Sequence, residues 1–154
     1  MGSLGSEESG SAKQRLDVVY TSELASVDTA ETAVLGIAES LGFEEDDLHK
    51  IGIALREAMV NAVVHGNKYN KEKRVWLAAW EQSGGLRIVI RDEGNGFDMG
   101  KVPDPLAEEN LLRESGRGIL LMQAFVDEFQ VRRLSPSGTE VTMIKYLAER
   151  QPGL

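Results

Sequence analysis

Hydrophobic and polar positions recur along this chain at two periods, and the period changes at clear punctuation. From Gln14 to Thr21, Leu16, Val18 and Tyr20 alternate with mostly polar neighbours, which predicts a first strand. Leu24 to Leu41 carries Val27, Ala30, Val34, Leu35, Ile37, Ala38 and Leu41 at helical spacing, and Gly42 stands where a C-terminal cap belongs. Glu44, Glu45, Asp46 and Asp47 place negative charge where a helix N-terminus favours it. They open a long helix whose Ile51–His65 stretch, IGIALREAMVNAVVH, is apolar on most sides and ends near Gly66-Asn67. Arg74–Glu81 and Leu86–Arg91 read as strands joined by the hairpin turn Gln82-Ser83-Gly84-Gly85. Trp76 and Trp80 fall on one face of the first of these and read as sheet cover.

Asp92-Glu93-Gly94-Asn95-Gly96-Phe97-Asp98 breaks the pattern. No periodicity survives from Met99 to Ser115, which holds Pro103 and Pro105 and predicts a long loop, the usual form of a lid or binding loop. Gly116-Arg117-Gly118 then precedes an apolar helix, Ile119–Phe125. Strands at Phe129–Leu134 and Thr139–Leu147, joined by a turn at Ser135–Gly138, complete the pattern. This order predicts an α+β fold: a two-layer α/β sandwich with helices packed on one face of a mixed, mostly antiparallel sheet. Residues 1–13 read as a flexible lead-in whose Gly/Ser-rich start is cloning-derived, 14–148 as one domain and 149–154 as a frayed tail.

Composition narrows the chemistry. The 154 residues contain no cysteine and two histidines, which removes disulfides, thiolate metal sites and thiol nucleophiles. A formal charge of −8 argues against a surface built to grip a phosphate backbone, although a pocket's local field can still favour a nucleotide. With no apolar run of transmembrane length and no signal-peptide pattern, a soluble cytoplasmic domain is expected.

Three features interrupt core building. Glu57, Asn61 and His65, four residues apart, share one stripe of the long helix. A carboxylate and an amide on so apolar a helix cost on the order of a couple of kcal/mol each unless the chain or a ligand pairs with them. Asp92-x-Gly94-x-Gly96 closes a strand, and Gly116-x-Gly118 opens a helix. Each glycine motif alone reads most simply as a turn or a helix entry. Together they describe a nucleotide site. Glycines let backbone N–H groups approach phosphates, and a helix N-terminus adds a field that favours anions. Mg²⁺ takes oxygen ligands such as the Asn61 carboxamide. Glu57, one turn earlier, can accept a proton from an attacking hydroxyl. Asp92 can accept a hydrogen bond from the adenine amine. GxxxxGK[ST] and GxGxxG are both missing, which closes the P-loop and Rossmann readings. His65, at a helix C-terminus, reads as structural.

From about Leu16 to Leu147 the chain resembles the Bergerat-fold ATPases of the GHKL superfamily. REAMVNAVVHGN resembles the N box, DEGNGFD and ESGRGILLM the two glycine boxes, and SGTEVTM the closing Gly-Thr motif. Within the superfamily it is most similar to the bacterial anti-sigma factor serine kinases (RsbW-like). The resemblance implies Glu57 as general base, Asn61 as Mg²⁺ ligand and Asp92 as partner of the adenine amine, with Thr139 joining through water. It sets Gly94 and Gly96 along the adenine side, and Gly116, Arg117 and Gly118 along the phosphates under a lid of about Met99 to Ser115. It implies ATP and Mg²⁺ as cofactors, a sigma factor and an anti-sigma factor antagonist as partners, and a homodimer. One departure bears on activity: Glu114 stands where an arginine often precedes the Ser-Gly of the second glycine box. Arg113 or Arg117 is then left to bring a guanidinium to the phosphates. The alternative is a catalytically weak module that binds nucleotide and sequesters a partner.

Overall fold

A computed structural model describes residues 12–94 and 114–148, without the side chains of 114–117. The chain runs β1 (Lys13–Thr21), α1 (Leu24–Ser40), α2 (Glu45–Val60), a π-helical turn (Asn61–Gly66), β2 (Arg74–Gln82), β3 (Gly85–Asp92), α3 (Glu114–Phe125), β4 (Glu128–Arg133) and β5 (Thr139–Tyr146). The strands form one five-stranded sheet in the order β1-β2-β3-β5-β4. All four pairings are antiparallel, so the parallel component expected of a mixed sheet is missing among the described strands. Because β5 inserts between β3 and β4, the connection through α3 reaches an edge strand that runs parallel to β3 without touching it.

Both helix stripes face the same side of the sheet. Val27, Ala30, Val34 and Ala38 from α1, and Ile51, Leu55, Ala58 and Met59 from α2, are buried with Val75, Leu77 and Ala79 of β2 and Leu86, Ile88 and Ile90 of β3. Burying such side chains is worth about 1.5–3 kcal/mol each for the larger ones, which makes this layer the main stabilising element. Glu45, Asp46 and Asp47 occupy the first turn of α2 as the charge pattern predicts. Gly42 has φ +100°, the left-handed conformation that stops α1.

The outer sheet face is covered by its own side chains. Guanidinium groups of Arg87 and Arg91 stack over Trp80 and Trp76, each 4.4 Å from the ring centre. Arg91 and Arg132 both pair with Glu140. Burial alone would raise the Glu140 carboxyl, but the hydrogen bonds from these two arginines hold it below its usual range. On the inner face Lys145 is buried between Asp127, 3.3 Å away, and Asp47, 3.6 Å away, tying the start of α2 to the sheet.

The boundaries differ from expectation in two informative places. The third helix begins at Glu114. Gly116-Arg117-Gly118 therefore lies inside its first turns, and Glu114 and Ser115 belong to the helix instead of the preceding loop. The long central helix changes character at Asn61, where i→i+5 bonds replace i→i+4 bonds: the Asn67 N–H donates to the Ala62 carbonyl at 2.8 Å.

Candidate functional site

The end of β3 enters a cleft bounded by α2, the π-helical turn, α3 and the inner faces of β4 and β5. With the solvent at its mouth included, the cleft spans about 560 Å³. Ala58, Ala62, Ile90, Ile119, Met122 and Val141 give it apolar walls, and Asn61, His65, Asp92 and Thr139 supply the polar groups. Apolar walls around a few fixed polar groups suit a flat heterocycle, which needs surface contact on its faces and hydrogen bonds at its edge.

Asp92 is the most constrained of these groups. It is the last residue of β3, paired in register with Thr139, the first residue of β5. Its side chain is buried, and the Gly94 N–H donates to Oδ1 at 3.0 Å. Two glycines close against it, and a third packs on one of them, because nothing larger fits. A side chain on Gly66 would start 2.4 Å from Asp92 Oδ2, and one on Gly138, at φ +111°, would start 2.4 Å from the Asp92 carbonyl. A side chain on Gly94 would start 1.7 Å from the Gly66 carbonyl oxygen. The first glycine box thus rests backbone to backbone on the π-helical turn. The i→i+5 bonding widens the turn, and both His65 and Gly66 reach the cleft beside Asn61. The widened turn is what brings a glycine against Asp92.

Burial pushes the Asp92 carboxyl up to about 6, against the opposing effect of N–H donors from Gly94 and Thr139. At neutral pH it is mostly ionised and poorly hydrated, which suits an acceptor awaiting a donor.

Asn61 lines the cleft away from Asp92, and Glu57, one turn before it, meets it on Gly118 of α3. A side chain there would start 2.8 Å from Glu57 Oε1, 3.4 Å from Asn61 Nδ2 and 3.6 Å from Asn61 Oδ1. The N box and the second glycine box are therefore in contact. Both side chains are half-buried, where the apolar helix pattern predicts deep burial. No hydrogen bond joins either side chain to another described residue.

Of the residues singled out from sequence, the structure brings Asp92, Gly94 and Thr139 together at one end and Glu57, Asn61 and Gly118 at the other. Gly116 and Arg117 lie on α3 without described side chains. Gly96, Arg113 and the loop segment 99–113 fall outside the described residues, as do residues 1–11 and 149–154. His65, expected to be structural, lines the cleft beside Asn61 and Gly66. Gly66, Gly138 and the apolar walls were not singled out. The Gly after His65 and the Gly before Thr139 were visible as letters, but only the strand register and the π turn show that they converge.

The family model of the histidine kinase-like ATPase domain matches residues 20–145. The serine-protein kinase RsbW of Bacillus licheniformis is 35% identical over 118 residues, spanning 73% of this chain and 72% of that protein. The anti-sigma F factor of Bacillus cereus (strain AH187) is 31% identical over 121 residues, spanning 77% and 83%. In fold, the chain is similar to the crystal structure of the RsbU and RsbW domains of a Mycobacterium tuberculosis protein. That match has a TM-score of 0.62 and 18% identity, and covers 86% of this chain but 31% of the other. No helix of the described residues is long and apolar enough to cross a membrane. The chain belongs to the histidine kinase-like ATPase domain family, within the GHKL superfamily, and its relatives there are serine-protein kinases of the RsbW type and anti-sigma F factors.

Proposed function

We propose that this protein is an anti-sigma factor with ATP-dependent serine kinase activity, transferring the γ-phosphoryl group of ATP to a serine of an anti-sigma factor antagonist. One observation carries the reading. The cleft is lined by a buried acceptor, Asp92, and by Asn61, which converges with Glu57 on a helix glycine. In this reading the Asp92 carboxylate accepts from the adenine amine, with Thr139 beside it, while Ile90, Ile119, Met122 and Val141 enclose the ring. The sugar and phosphates then extend toward Gly118.

Glu57 accepts the proton of the attacking serine hydroxyl as its oxygen bonds to the γ-phosphorus and the bond to the β,γ-bridging oxygen breaks, with ADP as leaving group. The Asn61 carboxamide oxygen, which faces Gly118, is a hard donor suited to Mg²⁺. Among the described residues no three His, Cys, Asp or Glu side chains gather, so most of the ion's ligands would be phosphate oxygens and water. Bound there through Asn61, the ion would offset phosphate charge.

The relatives' names, serine-protein kinase and anti-sigma F factor, support both halves of the proposal. The test is phosphorylation of a purified cognate antagonist with Mg-ATP. Transfer that requires Mg²⁺ and is lost in Glu57→Ala supports the kinase. Nucleotide binding with no transfer to any antagonist, and partner control unchanged in Glu57→Ala, sinks it. That outcome favours the second reading, a nucleotide-dependent sequestering module, which Glu114 in place of an arginine motivates. The same reading implies a cytoplasmic homodimer, which sedimentation of the purified protein tests.

A further inference from the structure

Asn67, the residue that ends the π-helical turn, is buried at 2% exposure and lies outside the cleft. Its carboxamide is fully used. Nδ2 donates to Ser22 Oγ at 2.8 Å and to the Arg74 carbonyl at 2.9 Å, and Oδ1 accepts from the Glu93 N–H at 2.9 Å. Ser22, also buried, donates onward to the Lys73 carbonyl at 2.6 Å. One side chain thus ties the β1–α1 corner and the start of β2 to the peptide immediately after Asp92. The next N–H along, that of Gly94, is the one that holds the Asp92 carboxylate.

We propose that Asn67 is a specificity-determining positioning residue: by fixing the Glu93 peptide it aims Asp92 at the base edge and so sets the preference for adenine. The inference rests on the nucleotide reading of the cleft. No other small side chain reproduces the arrangement. Aspartate keeps the acceptor but loses both donors, and serine is too short to span three segments. Without the clamp the Glu93 N–H loses its acceptor, the Glu93–Gly94 peptide is held less firmly, and the Gly94 N–H presents a less fixed donor to Oδ1. A misaimed carboxylate loses its bond to an amine, and it also stops repelling a carbonyl oxygen at the same position.

The experiment measures the affinities of ATP and ITP, whose base carries a carbonyl in place of the amine, by calorimetry in Mg²⁺ buffer. The proteins are wild type, Asn67→Ala, Ser22→Ala and Asp92→Asn. Wild type should favour ATP and Asp92→Asn should lose that preference. A wild type without preference overturns the adenine reading itself. Given both reference results, Asn67→Ala should narrow the ATP/ITP ratio about tenfold, the worth of roughly one hydrogen bond. Ser22→Ala, which leaves the Asn67–Glu93 bond in place, should narrow it about threefold. A merely structural role would lower both affinities together and leave the ratio unmoved, which overturns the proposal. If Asn67→Ala does not fold, the Ser22→Ala ratio decides by the same criterion.

Discussion

The two ends of the cleft are built on opposite principles. At the base end Asp92 is overdetermined: two glycines crowd it, two N–H donors hold it, and it is buried. At the other end Glu57 and Asn61 are half-buried, and no described residue fixes their side chains. Rigid recognition at one end and adjustable groups at the other fit a site that must bind the same base each time while phosphates change and leave. Preorganisation lowers the cost of binding, whereas the reacting end has to accommodate both substrate and product.

If rigidity at the base end matters this much, Gly94→Ala is the harshest single change. The new methyl group would begin 1.7 Å from the Gly66 carbonyl oxygen and 2.2 Å from its carbon, both backbone atoms that no rotamer can move. The glycine box must lift off the π turn and take Asp92 with it. ATP affinity should fall more than roughly 100-fold, with stability reduced by about 1–3 kcal/mol, as in other overpacked sites. Calorimetry and denaturant melts check both. Near-normal ATP binding would show that the backbone contact is not needed.

Glu57→Gln asks the converse question of the adjustable end. Amide for carboxylate keeps the shape and removes the base, so phosphoryl transfer should fall about 10²- to 10⁴-fold. ATP affinity should stay within about threefold, because Glu57 contributes little to ground-state binding in this reading. A parallel fall in both would merge the two ends into one binding site and remove the division of labour.

Much of this contrast was legible in the sequence, and the reasons for the remainder are physical. Glu57 and Asn61 one turn apart on an apolar helix, and Asp92 at the end of a strand before two glycines, are local patterns that the structure keeps. The switch at Asn61 to π geometry has no sequence signature, because one extra residue in a turn leaves the apolar spacing of Ala62, Val63 and Val64 compatible with an α-helix. An unbroken α-helix predicts His65 below Asn61, whereas the widened turn brings Gly66 to the cleft as well. Asn67 was legible only as a helix terminus, since its partners Ser22, Arg74 and Glu93 are scattered along the chain and converge only through β1–β2–β3 pairing.

Asp92→Asn tests whether the base end trades stability for recognition. A carboxyl raised to about 6 from 3.8 binds its proton more tightly in the folded state than in the unfolded state. Its favourable contribution is present below pH 3.8 and is lost as pH rises through about 6, so at neutral pH the ionised group opposes folding. Two pKa units correspond to roughly 3 kcal/mol, an upper bound on what neutralising the group can recover. The nucleotide-free variant should therefore be more stable than wild type at pH 7.5, by about 1–2 kcal/mol, and the gap should close toward pH 4. Its ATP affinity should nonetheless fall. In wild type, ATP affinity should weaken below about pH 6 as the carboxyl protonates. A variant less stable than wild type at both pH values would mean that the hydrogen bonds to the carboxylate outweigh its burial.

Gly118→Ala is the mildest probe, and it bears on the contact between the ends. A methyl group there would begin 2.8 Å from Glu57 Oε1, too close to leave undisturbed, but the atom it meets is the tip of a flexible side chain. Unlike the Gly66 carbonyl, it can swing away. The fold and the base end should therefore tolerate the change, with ATP affinity within about threefold of wild type. Transfer should fall by roughly tenfold, because a general base displaced by about an ångström no longer meets the hydroxyl proton at hydrogen-bond distance. The pair of glycine variants then separates the two ends by the kind of atom each glycine faces. A backbone neighbour makes Gly94→Ala a loss of binding, and a side-chain neighbour makes Gly118→Ala a loss of rate. If Gly118→Ala instead abolishes ATP binding while leaving the single-turnover rate of any bound fraction intact, α3 belongs to the rigid half of the site.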